Sequence, residues 1–397
     1  MITRTHYLNR IIDLNGTPDI KIITGIRRSG KSKLMQAYIA YLKAHVPNAN
    51  IIFIDFMDLA YEELKEYHAL YRFVEAHNQV GKMNYLFVDE VQLCPDFELA
   101  INSLYAKGSY DIYITGSNAF LLSADLATLF TGRYIEIHVF PFSFGEYCQY
   151  YSETQDRDRL FEDYTRKGGL SGSYAYRTEQ DRINYLKEVY RTIVTRDLVQ
   201  KYALSDASVL QHLSEFLMDN ISNLTSPNRV SRLLTANSIP TNHVTIGKYI
   251  KYLCSAFVFY DIKRYDIRGK KYLENSEKFY LCDCGLRYAI LGNRNLDYGR
   301  LYENMVCMEL LRRGYEVYVG KLYQKEIDFV AQRGSEKIYI QVSDNLSGQE
   351  TFEREVAPLL QIRDAYPKTI IARTRHPKYS YEGVEICDIA DWLLSEA

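Results

Sequence analysis

The sequence lacks any run of residues that could cross a membrane or direct export. The uncharged stretch around position 255 is about ten residues long, well short of the ~20 apolar residues that a membrane-spanning helix needs. The N-terminal segment from Met1 to Tyr7 has none of the apolar character of a signal peptide. We therefore expect a soluble protein of the cytoplasm with no membrane partner.

The sequence also lacks metal-binding or redox cysteine motifs and a large net positive charge. The seven cysteines are odd in number and include no C-x-x-C pair, which excludes the usual zinc and redox motifs and favours a reducing compartment. The formal net charge of −2 excludes a uniformly basic protein that coats nucleic acid, although a local basic patch remains compatible with it.

The chain of 397 residues is too long for one ordinary hydrophobic core, so two or three domains are expected. Short β-branched and aromatic runs alternate with helical stretches in the first part, which predicts an α/β fold with a mostly parallel sheet. A largely helical region follows, and alternation resumes near the C-terminal end. We place the domains at residues 1–150, 151–275 and 276–397. The predicted strands of the first domain are Ile20–Thr24, Ile51–Phe56, Tyr85–Asp89, Ile112–Thr115 and Tyr134–His138.

A glycine-containing segment follows the first predicted strand and opens a predicted helix. It matches G-x-x-x-x-G-K-[ST] at every fixed position, and its residues are Gly25, Ile26, Arg27, Arg28, Ser29, Gly30, Lys31 and Ser32. Glycines let the backbone curl so that successive N–H groups point at phosphates, and the helix adds its positive N-terminal dipole. Lys31 is expected to neutralise the β- and γ-phosphates of ATP, and the Ser32 hydroxyl to bind Mg²⁺. The sequence therefore predicts a P-loop.

The apolar strand Tyr85–Asp89 ends in two acids, Asp89 and Glu90. Because burying carboxylates is costly, such a pair at the end of a buried strand indicates a partner. We expect Asp89 to complete the Mg²⁺ shell and Glu90 to orient or deprotonate the attacking water. A Glu directly after the strand-end Asp favours ATP hydrolysis over binding alone. The alternative is a solvated strand end.

The next strand ends at Thr115 and is followed by Ser117 and Asn118. In P-loop proteins with a catalytic Glu, this strand lies between the P-loop strand and the acidic strand. Ser117 or Asn118 is then expected to sense the γ-phosphate, and a helix N-cap is the alternative.

Arg133 stands just before the fifth predicted strand. It is a candidate arginine finger, acting in cis or from a neighbouring subunit of a homo-oligomer, and a structural salt bridge is the alternative.

Four segments occur in an order that resembles one known group of proteins. They are G-I-R-R-S-G-K-S from Gly25, L-F-V-D-E-V-Q from Leu86, I-T-G-S-N-A from Ile114 and T-G-R-Y-I-E-I-H-V-F-P-F-S-F-G-E-Y from Thr131. The chain is similar to the prokaryotic AAA-type P-loop ATPases that carry a C-terminal domain of unknown function, and the runs from Lys278, Leu301 and Glu326 also fit. The resemblance implies ATP binding and hydrolysis, a winged-helix-like segment, and a C-terminal α/β domain of the restriction-endonuclease-like, PD-(D/E)XK type.

A local excess of positive charge lies in residues 226–272. Nine Lys and Arg residues are offset there by Asp261 and Asp266 alone, which leaves +7. The order of helix, turn, helix and strand pair with a basic tip predicts a winged helix, with Val244–Tyr252 as the recognition-type helix and residues 268–271 as the wing. Such charges would contact the phosphates of DNA. The alternatives are a solvated basic face or a surface that docks on the ATPase domain.

The C-terminal part matches a nuclease pattern incompletely. Restriction-type nucleases bind Mg²⁺ through a helix Glu, a strand Asp and a Glu/Gln-x-Lys on the next strand, and Glu303, Asp328 and Gln341 stand at matching positions. Ser343 replaces the catalytic Lys, however, and a neutral hydroxyl cannot stabilise the developing charge as an ammonium does. Lys337 or Lys325 could take its place, but nothing in the spacing requires it. We expect a degenerate nuclease fold that is kept for binding or structure.

These observations predict a Mg²⁺-dependent ATPase that acts on DNA or is recruited to it. One alternative is an ATP-regulated nuclease. The other is a nucleotide-dependent switch that binds proteins and never binds DNA.

Overall fold

The computed structural model describes residues 2–116, 129–151, 156–204, 207–269 and 271–395, apart from the side chains of residues 271–276. The chain divides into two units. The first contains residues 1–141 and 255–257, and the second contains residues 142–254 and 258–397. The predicted boundary at residue 275 falls inside the second unit, so the division of that unit into two domains stays a prediction.

The first unit has a parallel sheet of five strands, in the spatial order β2-β3-β4-β1-β5. Its strands are β1 (Ile20–Thr24), β2 (Asn50–Asp55), β3 (Asn84–Asp89), β4 (Tyr110–Thr115) and β5 (Tyr134–His138). Its described helices are α1 (Thr5–Asp13), α2 (Lys31–His45), α3 (Tyr67–Ala76) and α4 (Phe97–Ala106), with 3₁₀ turns at Leu59–Leu64 and Val91–Leu93. The predicted α/β class is confirmed, and β4 lies between β1 and β3 as expected.

Both faces of this sheet are buried. Successive residues of a strand point to opposite faces, so Ile22 of β1 and Val88 of β3 belong to one apolar cluster. Ile23 and Phe87 belong to a second cluster, together with residues of α1 and α2. This double burial explains why the strands have near-continuous apolar runs, as parallel strands covered on both faces do.

The second unit has a mixed sheet of nine strands, in the order β13-β14-β12-β11-β10-β9-β7-β8-β6. The strands are β6 (Leu224–Thr225), β7 (Phe259–Asp266), β8 (Lys271–Leu281), β9 (Glu316–Leu322), β10 (Lys325–Arg333), β11 (Glu336–Ser343), β12 (Lys368–Ala372), β13 (Tyr379–Tyr381) and β14 (Val384–Asp388). The described α-helices of this unit are α5 (Phe144–Tyr151), α6 (Arg157–Lys167), α7 (Glu179–Arg191), α8 (Val199–Tyr202), α9 (Ala207–Asp219), α10 (Pro227–Ala236), α11 (His243–Ser255), α12 (Cys284–Leu291), α13 (Tyr298–Arg312), α14 (Gln349–Leu360) and α15 (Ile389–Leu394). A 3₁₀ turn spans Ser171–Ala175 and a π-helix spans Thr192–Leu198.

The segment from α9 to β8 forms a helical cluster with a three-stranded edge. The short strand β6 pairs with β8, β8 pairs with β7, and β7 pairs in parallel with β9. Helix α10 begins with Pro227, and the Ser226 hydroxyl accepts the Arg229 N–H at 3.4 Å, which caps the helix where N–H groups lack partners. The pairing of β7 with β9 makes this segment part of the same sheet as the C-terminal strands.

A buried ion pair joins β1 to β4 in the first unit. Lys21 is fully buried, and its Nζ lies 2.6 Å from Oδ1 of Asp111, which is also buried. The other Asp111 oxygen accepts the Gly16 N–H at 2.9 Å and the Tyr113 hydroxyl at 3.1 Å. Each oxygen of the carboxylate therefore has a donor.

Replacing Lys21 by Met is expected to lower the free energy of unfolding by about 3–5 kcal/mol, because Asp111 would remain as a buried charge without its cation. Urea unfolding followed by circular dichroism measures the change. Lys43→Met, on the exposed side of α2, is the matched control and should shift the free energy by about 0.5 kcal/mol or less. Equal effects of the two substitutions would contradict this account of the buried pair.

Candidate functional site

The predicted P-loop connects the carboxyl end of β1 to the start of α2. Gly25 has a φ of +133° and Gly30 a φ of +101°, both outside the range that side chains readily adopt. A Cβ on Gly25 would lie 2.1 Å from the carbonyl oxygen of Val139. Both glycines are therefore required by the backbone path of the loop.

The Lys31 ammonium lies inside the loop. Its Nζ donates to the Gly25 carbonyl at 2.8 Å and to the Ile26 carbonyl at 3.1 Å, and the residue is only 6% exposed. Ser32 follows in the first turn of α2 and is half-buried. Ser29 is buried, and among the described residues its hydroxyl has no hydrogen-bond partner. The Lys31 ammonium thus lies against carbonyl groups of the loop, and Ser29 and Ser32 add two hydroxyl groups to the same segment.

The strand-end acid Asp89 is buried at the end of β3. Because β3 and β4 are parallel, with Val88 opposite Ile114, Asp89 and Thr115 lie at the same edge of the sheet. The Thr115 hydroxyl donates to Oδ1 of Asp89, and the Glu90 N–H donates to that oxygen at 3.1 Å. Sequence analysis assigned Thr115 no role, although its position beside the acidic strand could have indicated one.

Glu90 has a left-handed backbone conformation, with φ +53° and ψ +45°. This is unusual for a residue with a side chain and costs on the order of 1–3 kcal/mol. The Gln92 amide donates to Oε2 of Glu90 at 2.5 Å. Gln92, which sequence analysis did not single out, therefore holds the Glu90 carboxylate in place.

Residues of β5, together with Thr24 at the end of β1, form a third set of polar groups at the same edge. The Thr24 hydroxyl donates to Oε1 of Glu136 at 2.6 Å and lies 3.0 Å from Nδ1 of His138. The His138 ring packs against Phe140 and Phe257, with centroids 4.4 and 4.3 Å away. Burial, together with the Lys31 charge, lowers the pKa of His138 to about 3. His138 is therefore neutral at physiological pH.

The carboxyl edge of the sheet brings the P-loop, Asp89 and Glu90 together, since their strands are separated only by β4. An ammonium, a hydroxyl and carboxylates are the donor types that a triphosphate with magnesium requires, so the residues fit this ligand. The predicted phosphate sensors, Ser117 and Asn118, lie outside the described residues.

Arg133 lies at the opposite edge. It directly precedes β5, whose first residue Tyr134 pairs with Ile20 at the start of β1. The whole length of β1, about 16 Å for five residues, separates it from the P-loop. The Arg133 side chain is exposed, and its guanidinium is 5.7 Å from the ring centroid of Tyr105. Arg133 acting as a finger in cis is therefore wrong, because the side chain cannot span this distance, and its action from a neighbouring subunit stays a prediction.

The second unit brings together the three residues predicted from the nuclease pattern. Glu303 of α13, Asp328 of β10 and Gln341 of β11 are all buried, and the Gln341 side-chain oxygen accepts the Asp328 N–H at 3.1 Å. The structure adds Lys278 of β8, whose Nζ is 2.8 Å from Glu303 and 3.9 Å from Asp328. The run that begins at Lys278 fits the family resemblance, but its sequence gives no sign that this lysine joins the cluster. The hydroxyl of Ser343 donates to the Asn345 carbonyl at 2.8 Å.

No helix of the described segments has the length and apolar character that crossing a bilayer requires.

Two family models match the chain in succession. Residues 17–148 match a model described as an AAA domain, and residues 158–297 match one described as a domain of unknown function (DUF8612). A protein of Haemophilus influenzae, named as uncharacterized, is 37% identical over 399 residues and is covered to 99% in both chains. An uncharacterized protein of Methanocaldococcus jannaschii is 26% identical over 369 residues, which cover 88% of this chain and 80% of that one.

Among solved structures, the AMPPCP-bound DnaA from Aquifex aeolicus is similar at a TM-score of 0.32 and 14% identity, over 63% of this chain and 87% of that one. A replication initiator DnaA bound to AMPPCP and single-stranded DNA gives a TM-score of 0.33 and 15% identity, over 62% and 86% of the two chains. Scores this low support no inference about function.

Replacing His138 by Gln is expected to reduce the loss of stability in acid. The unfolded chain binds a proton at this histidine below pH 6.5, whereas the folded chain does so only near pH 3. Stability contributed by neutral His138 is therefore fully present above pH 6.5 and is lost as the pH falls toward 3, at up to about 1.4 kcal/mol per pH unit.

Urea unfolding of wild type and His138→Gln between pH about 7 and about 5 measures this slope. The control is His45→Gln, since His45 is exposed at the end of α2. A wild-type slope that His138→Gln leaves unchanged would show that this histidine is not buried in neutral form.

Proposed function

We propose that this chain, which belongs to the same protein family as the Haemophilus influenzae relative, binds ATP at the P-loop of its first unit and hydrolyses it. The observation that carries the proposal is the strand-end pair of carboxylates. Asp89 and Glu90 lie at the end of β3, which is separated from the P-loop strand β1 only by β4. Thr115 donates a hydrogen bond to Asp89, and Gln92 donates one to Glu90. The match of residues 17–148 to the AAA domain supports the same function.

ATP would be bound by groups that contact the P-loop backbone in this structure. The Lys31 ammonium donates to two loop carbonyls, and phosphate oxygens would replace these acceptors as the nucleotide binds. The first N–H groups of α2 have no side-chain cap, because the preceding residue is Gly30, so they are available to phosphate oxygens. The buried hydroxyl of Ser29 lies in the same loop.

Hydrolysis would depend on Glu90 as the group that orients and deprotonates water. Its carboxylate is anchored at one oxygen by Gln92, which restricts the directions in which the other oxygen can accept a proton. Ser32 and Asp89 would hold Mg²⁺, which supplies charge stabilisation to the phosphates when it is bound. Thr115 fixes the Asp89 carboxylate by donating to one of its oxygens. Ser117 and Asn118 remain the predicted γ-phosphate sensors.

Glu90→Gln is expected to lower the ATP turnover rate by about 10²- to 10⁴-fold, the usual contribution of a general base. ATP affinity should remain close to that of wild type, because no predicted phosphate contact is removed. Phosphate release measures turnover, and titration with a fluorescent ATP analogue measures affinity.

The matched control for this substitution is Glu63→Gln, at an exposed position of the 3₁₀ turn Leu59–Leu64. Turnover by Glu90→Gln at the wild-type rate would refute the catalytic role of Glu90. Normal binding without turnover in wild type would leave a nucleotide switch as the function.

We further propose that the basic region, residues 226–272, binds DNA. Arg229 and Arg232 are exposed on α10, and Lys248 and Lys251 are exposed on α11, in each case three residues apart on one helix face. The helix order and the pairing of β6, β8 and β7 support a winged-helix arrangement with α11 as its recognition-type helix. Lys270 lies outside the described residues, as does the side chain of Lys271.

The double substitution Lys248→Ala and Lys251→Ala is expected to weaken duplex binding equally for all sequences. Each lost phosphate contact should reduce the slope of log affinity against log salt by about 0.9, and both together by about 1.8. Fluorescence anisotropy of a labelled duplex over a range of salt concentrations measures the slope.

Lys33→Ala together with Lys43→Ala, both exposed on α2 of the first unit, is the control with the same change of charge. An unchanged slope in the α11 variant would place any DNA contact elsewhere. Absence of salt-sensitive binding in wild type would favour the protein-binding switch.

A further inference from the structure

The second unit contains a cluster of four charged side chains, three of them buried, that the proposed ATPase does not use. Four ionisable side chains converge from three elements: Lys278 of β8, Glu303 of α13, and Glu326 and Asp328 of β10. Lys278 is 3% exposed and Glu303 is 8% exposed. Burying ionised groups is costly unless they are paired, so the contacts within this cluster determine what it can do.

The Lys278 ammonium is the common partner of all three carboxylates. Its Nζ lies 2.8 Å from Oε1 of Glu303, 2.8 Å from Oε1 of Glu326 and 3.9 Å from Oδ1 of Asp328. The Tyr280 hydroxyl donates to the same Glu303 oxygen at 2.7 Å. An ammonium has three protons to donate, and here the carboxylates surround it.

The second oxygen of Asp328 and the side-chain oxygen of Gln341 accept backbone N–H groups. Oδ2 of Asp328 accepts the Val342 N–H at 2.8 Å, and the Gln341 oxygen accepts the Asp328 N–H at 3.1 Å. Within the described ranges, no group of three His, Cys, Asp or Glu side chains has a geometry that could hold a metal ion. Because the Lys278 ammonium lies against Glu303 and Asp328 and the Gln341 oxygen accepts a backbone N–H, the donor set predicted from the nuclease pattern does not fit Mg²⁺ in this arrangement.

We infer that Lys278 is a built-in cation that takes the place of the divalent metal in this cluster. The ammonium pairs with the carboxylates that a nuclease would present to Mg²⁺. Because Lys278 is buried, its ammonium is shielded from solvent. Its contacts connect β8, which belongs to the basic segment, to α13 and β10 of the C-terminal part. The cluster is then a structural centre and not a site of phosphodiester cleavage. This inference is independent of the proposed ATPase.

The test compares Mn²⁺ binding by the full-length wild type, Lys278→Met, and Lys278→Met combined with Asp328→Asn. Mn²⁺ is titrated without nucleotide and followed by electron paramagnetic resonance. Removing the ammonium should add one Mn²⁺ site to those of wild type, and Asp328→Asn should remove that site again. Any binding at the P-loop is common to all three proteins and cancels in the comparison. A folded Lys278→Met protein that gains no site would overturn the inference.

A second comparison decides the matter if Lys278→Met does not fold. Wild type and Asp328→Asn should bind the same number of Mn²⁺ ions, and neither should nick supercoiled plasmid in Mn²⁺. A wild-type Mn²⁺ site that Asp328→Asn abolishes would show that metal binds with Lys278 present. Plasmid nicking that Asp328→Asn abolishes would show that the nuclease site is active.

Discussion

The parallel pairing of β4 between β1 and β3 is the constraint on which the candidate nucleotide site depends. It sets the ends of three strands at one edge, so that the P-loop, Thr115 and Asp89 lie side by side without any long-range loop to hold them. The buried pair of Lys21 and Asp111 joins β1 to β4 near the other edge. The register of these strands thereby places Arg133 at the edge opposite the P-loop of its own chain.

Local sequence patterns predicted the strands of the first unit. All five strands and the P-loop were predicted there, because glycine spacing and buried apolar runs are properties of neighbouring residues. The hydrogen bonds from Thr115 to Asp89 and from Gln92 to Glu90 could not be predicted with the same ease, since they depend on register and on the left-handed turn at Glu90. Lys278 was missed for a similar reason. It is 25 residues from Glu303, and only the tertiary fold brings them together.

The two units solve the same electrostatic problem with buried lysines. A carboxylate that is removed from water is costly unless it is paired, and a lysine on another strand pairs with it in both cases. Asp111 has one ammonium to itself, whereas three carboxylates share Lys278. The first arrangement joins two neighbouring strands, and the second joins β8 to α13 and β10.

The parallel pairing of β7 with β9 connects the basic region, residues 226–272, to the C-terminal strands. Hydrogen bonds of one sheet continue from β6 through the strands of the C-terminal part, and α10 and α11 lie between β6 and β7 along the chain. A load on the exposed lysines of α11 would therefore reach the C-terminal strands through β7 and its hydrogen bonds to β9.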